Sequence, residues 1–193
     1  MRNRLAVLLA GLVLAVPGAA LAHTGVAPAS GFAAGFLHPI AGLDHVLAMV
    51  AVGLWAAQIG GRALWIVPAT FVAVMIAGAV LGMAAVTVPV VELGIIGSVL
   101  VLGGLVALGR SLPLWLAAAV VGLFAVFHGV AHGTEMPAAA SGLAYGLGFA
   151  LATALLHAAG LAMGFAARAL QSRPLVRIGG GAIAATGLVL LVA

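Results

Sequence analysis

The sequence predicts an all-α fold, a polytopic membrane bundle of six transmembrane helices behind a cleaved signal peptide. Three observations carry that expectation. Of 193 residues, 66% are hydrophobic and only 5% charged, where an average soluble domain has about 25% charged residues; mean hydropathy is +1.38. The surplus apolar surface must face lipid, where only helices and closed barrels satisfy every backbone amide. The apolar runs are continuous and rich in Leu, Ala, Val and Gly, unlike the alternating segments of about ten residues that build a barrel wall. At about 20 residues per span, the length accommodates six helices with short turns.

The elements follow in order. Arg2 and Arg4 precede an apolar run from Leu5 to Val16, then Pro17, Gly18 and Ala20-Leu21-Ala22. This is the charged, apolar and small-residue pattern of a cleavable signal peptide. The expected organisation is therefore a signal peptide over 1–22 and a six-helix transmembrane domain over 23–193. An uncleaved anchor is the alternative. Cleavage after Ala22 would leave five Arg against Asp44, Glu92 and Glu135, a mature net charge of +2. It would also leave His23 at the amino terminus, where amine and imidazole together can chelate a late transition metal. An incidental His in a short tail reads equally well.

The helices are expected at about 31–57, 64–85, 91–109, 113–133, 139–167 and 175–192. The breaks carry turn residues: Gly60-Gly61-Arg62, Thr87-Val88-Pro89, Arg110 to Pro113, Gly133 to Pro137 and Gln171 to Pro174. A signal peptide places His23 outside, so the loops after helices one, three and five should be cytoplasmic. Those loops hold Arg62, Arg110 and Arg168 with Arg173, and Arg177 follows closely; the other two loops carry no basic residue. The arrangement obeys the positive-inside rule. It places the chain in a bacterial inner membrane with both mature termini in the periplasm. Gly-xxx-Gly spacings at Gly31/Gly35, Gly78/Gly82, Gly129/Gly133, Gly142/Gly146 and Gly160/Gly164 suit close helix contact.

Several function classes are excluded at this point. With no Cys, disulfides, thiolate ligands and thiol nucleophiles are absent. The basic residues are all Arg and none cluster densely, so nucleic acid is not a partner. No G-x4-G-K-[ST] motif is present, so this chain does not hydrolyse ATP through a P-loop. The partners implied are the lipid bilayer and a metal ion, with a homo-oligomer left open.

The metal follows from two polar stretches. In Phe36 to His45, His38, Asp44 and His45 head an apolar run without another charge as far as Ala57. A carboxylate at the centre of a membrane helix costs about 2.5–3.5 kcal/mol on insertion scales, so Asp44 needs a partner or a task. His38 and His45 lie two turns apart, about 10 Å on a straight helix. Pro39 removes a helix hydrogen bond and offers a break through which His38 could fold back, as at the discontinuous helices of transporters. The second stretch is Phe127 to Glu135. There His128 and His132 are i, i+4, and Glu135 falls near the same face, at metal-ligand spacing. Helix one enters from outside and helix four exits outward, so both stretches lie near the periplasmic face. They form one site or two in sequence.

Glu92, opening helix three, and His157, midway along helix five, are further candidates. A helix N-terminal acid and an interhelical hydrogen-bonding His are their structural readings. Met49, Met83, Met136 and Met163 could be soft ligands, but Met commonly fills membrane cores. Polar contact between helices is the structural alternative for the two main sets as well.

The H-x5-D-H of His38 to His45, the flanking Leu47 to Ala56 and the F-H-G-x-A-H-G-x-E of Phe127 to Glu135 resemble the HupE/UreJ family. The resemblance covers the mature chain. It implies a nickel or cobalt permease associated with hydrogenase and urease maturation. It also implies functional positions at His38, Asp44, His45, Phe71, Glu92, His128, His132 and Glu135. The leading expectation is thus a transition-metal permease, not an enzyme, that takes the ion as substrate at His38, Asp44, His45, His128, His132 and Glu135. Nickel comes first, with Co²⁺, Zn²⁺ and Cu²⁺ open, since affinity order discriminates poorly among them. Two alternatives are a non-transporting metal-binding accessory protein and an intramembrane zinc hydrolase that activates water.

Overall fold

The computed structural model describes residues 31–137 and 140–193. The expected signal peptide and His23 lie outside the described residues. Among the described residues the chain forms seven helices and no strand: α1 (Gly31–Ala41), α2 (Leu43–Ile59), α3 (Ala63–Met83), α4 (Val91–Leu108), α5 (Leu114–Thr134), α6 (Gly142–Ala169) and α7 (Arg173–Val192). Each of α3 to α7 is long and apolar enough to cross a membrane, and α1 with α2 makes the sixth span. The all-α membrane bundle expected from composition is the fold observed, with five unbroken spans and a sixth where the bent pair counts as one.

The first span departs from the continuous helix expected at 31–57. It is two helices bent by 82°. The break also falls later than Pro39, which is buried inside α1. The chain turns at Gly42, whose backbone is extended (φ −90°, ψ 117°). Asp44 follows in the first turn of α2, and its Oδ1 accepts from the His45 backbone N–H at 2.8 Å. One of the four unpaired N–H groups at a helix start is thereby satisfied, by a carboxylate that the helix dipole favours there. A Cβ at position 42 would lie 2.9 Å from both Asp44 Oδ1 and His45 Nδ1. Glycine here leaves room for that pair.

Three helix pairs dominate the packing: α3 with α5, α4 with α7, and α2 with α6, while α1 lies along α6. The α3–α5 seam is glycine on glycine. A Cβ at Gly129 would strike the Met75 carbonyl, and one at Gly133 the Ala79 carbonyl. The spacings at Gly78/Gly82 and Gly129/Gly133 thus set how closely these helices approach. Exchanging the first span, α3 and α4 for α5, α6 and α7 maps the three pairings onto themselves.

At the arginine end, polar groups close the carboxyl terminus of α4. Arg177 donates to the carbonyls of Ala107 (3.1 Å) and Leu108 (2.8 Å), Gln58 to Val106 (2.9 Å) and Trp55 to Arg110 (2.8 Å). The Ala107 and Leu108 carbonyls are ones that a helix end leaves unpaired, and a cation suits that end of the dipole. Trp65 and Trp115, 78% and 72% exposed, open α3 and α5 at this same end, the interfacial placement typical of membrane tryptophans.

Candidate metal centre

The site is built at the other end of the bundle, where α2 begins and α5 finishes. The bend at Gly42 turns α1 across this end, and its His38 meets α5 there. Two groups of ligand-type side chains result: His45, His128 and His132, and His38, His132 and Glu135. Within each group the candidate donor atoms all lie within 4.8 Å of one another. An ion at about 2.0–2.1 Å from each nitrogen would draw each ring in by about 1 Å. His132 belongs to both groups. The ring centroids step from His38 to His132 (4.7 Å), to His45 (4.3 Å) and to His128 (4.8 Å).

Exposure grades along this series. The Glu135 side chain is 51% exposed and that of His38 34%, whereas His45, His132 and His128 are buried. His38 Nε2 donates to Glu135 Oε2 at 2.9 Å. That bond holds the Glu135 carboxyl below its usual range, against the opposing effect of partial burial. His132 Nδ1 is 3.8 Å from the same oxygen, too far for a hydrogen bond.

Second partners fix which nitrogen His45 and His128 present. His45 Nδ1 lies 2.6 Å from Asp44 Oδ1. A carboxylate accepts, so Nδ1 carries the proton and the Nε2 lone pair is free. Ser98 Oγ donates its single hydrogen to the Ile95 carbonyl at 2.6 Å and lies 3.0 Å from His128 Nε2. The hydroxyl must therefore accept from Nε2–H, which leaves the Nδ1 lone pair of His128 free. The freed atoms, His45 Nε2 and His128 Nδ1, are buried without a hydrogen-bond partner, as are both ring nitrogens of His132. Buried polar atoms in native proteins are overwhelmingly bonded. A transition-metal ion would satisfy one lone pair on each of the three rings, and imidazoles oriented by a carboxylate or hydroxyl are the usual support of such an ion.

The other candidates fall as follows. Asp44 is adjacent to the buried group but is turned to His45. Glu92 is exposed in the first turn of α4 and joins neither group. His157 is buried on α6 and joins neither group; the Phe71 ring touches it at 5.2 Å and His128 at 5.5 Å. Met49 is buried in the apolar core, and Met83 and Met163 are exposed. Sequence reasoning missed three neighbours of the site: Ser98, Tyr145 and Phe149. The Phe149 ring is 4.1 Å from His132 and that of Tyr145 is 6.0 Å from His38. Tyr145 is the chain's only tyrosine, a signal that could have drawn notice. Ser98 matters only through a residue thirty positions away.

Comparison with known proteins agrees in extent with the resemblance. The family model described as HupE / UreJ protein matches residues 11–190. Protein HupE of Rhizobium leguminosarum bv. viciae is 46% identical over 179 residues, covering 93% of this chain and 93% of that protein. No solved structure matches the chain.

Proposed function

The chain belongs to the HupE / UreJ family, and on that premise we propose that it is a transition-metal permease of the inner membrane, with nickel as its foremost substrate. The family is one of membrane proteins associated with nickel and cobalt transport for hydrogenase and urease, not of enzymes. Capture takes place on the periplasmic side. Residues 1–22 are removed as a signal peptide, and both mature termini face the periplasm.

The observation that carries this reading is the set of buried imidazole lone pairs on His45, His128 and His132, reached through a half-exposed group, His38, His132 and Glu135. An ion enters where Glu135 and His38 still meet water and sheds its hydration in steps. His132 passes it to the buried triad, since it serves both groups. Asp44 holds His45 in the coordinating tautomer and offsets part of the ion's charge from one bond further out. Neutral imidazole and carboxylate donors suit Ni²⁺, Co²⁺ and Zn²⁺ alike.

Uptake of radioactive nickel into proteoliposomes tests the assignment, with Co²⁺, Zn²⁺ and Cu²⁺ as competitors. Wild type should concentrate nickel and Asp44→Ala should take up at least tenfold less. Equal accumulation by the two would end the permease reading. Tight binding without flux would favour a non-transporting metal-binding accessory protein.

A further inference from the structure

Beyond the triads, the line of rings does not stop. From His38 the centroids run through His132, His45 and His128 to Phe71 and then His157, with no step longer than 5.5 Å. Five helices contribute: α1, α5, α2, α3 and α6. Phe71 is the one member without a lone pair. It is fully buried, in the apolar core with Val67 and Met75.

Among the described residues, His157 is a buried polar group that the two triads do not use. It is 1% exposed, and neither ring nitrogen has a hydrogen-bond partner. A histidine serving only as a contact between membrane helices would be expected to bond across the interface. Thr153 lies one turn earlier on α6, and its hydroxyl is directed at Met75 Sδ (3.7 Å). Met75 itself lies one turn beyond Phe71 on α3. Phe71 and Met75 thus face Thr153 and His157 across the α3–α6 contact. An imidazole beside a thioether and a hydroxyl, with no carboxylate among them, is a neutral, borderline-soft environment. It would hold a late transition-metal ion weakly, and a station on a path must bind well enough to admit an ion and weakly enough to release it.

We infer that Phe71 is the closed gate of the metal path and His157 the next station beyond it, a deepening that rests on the permease reading. In this state the apolar ring separates the triads from His157, as hydrophobic constrictions do when they gate by excluding water. Rotation of that one side chain would open His157 to the triads.

The chain has no native cysteine, so the H157C variant carries a unique thiol. A small cationic thiol reagent, added to proteoliposomes from the triad side, should label H157C slowly. It should label the H157C/F71A pair at least tenfold faster. Labelling rates within twofold of each other would overturn the gate. In the flux arm, His157→Ala should bind nickel in detergent within threefold of wild type while uptake falls at least tenfold. Uptake within twofold of wild type would overturn the station, as would loss of nickel binding at the triads. Absence of nickel flux from wild type would sink the permease reading, and the labelling comparison would still decide the gate.

Discussion

Asp44 is the single charge in an apolar stretch of more than twenty residues, and its position explains why it is there. At the amino end of α2 it accepts from both the backbone and the ring of His45. Asp44→Asn keeps the shape and removes the charge that selects the tautomer. Nickel affinity, measured by calorimetry, should fall about 10–100-fold, the usual effect of losing a partner that orients a metal ligand. Ser98→Ala should weaken affinity about tenfold or more by the same logic, because His128 then loses what holds its Nε2 proton. Glu135 adds a pH dependence. Its folded carboxyl titrates below the free group, so its bond with His38 contributes fully above the ordinary carboxylate range and fades as pH falls through the folded value. Melting curves of wild type and Glu135→Gln should differ at neutral pH and converge in acid. Spacing alone presents both carboxylates as candidate ligands. That Asp44 addresses its neighbour, and that Ser98 addresses a histidine thirty residues on, are properties of rotamers and helix pairing that spacing does not carry.

At the scale of elements, the bend is what the linear reading of the first span lacked. His38 and His45 are too far apart on a straight helix to serve adjoining groups, and a break was legible from that conflict. Its place was not. Proline within a short helix is tolerated when packing compensates, and the turn instead uses Gly42, where a side chain would crowd Asp44 and His45. Gly42→Ala should leave the bundle folded, with an unchanged circular dichroism spectrum, yet lower nickel affinity severalfold. The glycine seam between α3 and α5 makes the opposite kind of demand. Gly129→Val would press its side chain into the backbone of α3 at Met75. Overpacking costs about 1–3 kcal/mol, and a helix backbone yields little, so the upper end is expected. Thermal unfolding in detergent should show a lower midpoint even without metal.

For the whole molecule, the five unbroken spans and the alternation of arginine-bearing loops were readable from composition and charge, because lipid imposes both. The common depth of the two His motifs followed from topology, since one span begins where another ends; whether they make one site or two did not. Which helices touch was hidden, since continuous apolar runs present no single buried face. The observed pairing, symmetric under exchange of the two triplets, is the pattern that inverted repeats produce. It puts a discontinuous first span beside α6, with His38 and His45 reaching α5 at the end that holds the two triads. His132 is the point where the half-exposed and buried groups meet, so it reports on the entire path. Radioactive nickel uptake into proteoliposomes holding wild type or His132→Ala, at matched protein and fold, is the most direct test. The account predicts a loss of at least tenfold in the variant. Equal uptake would contradict it.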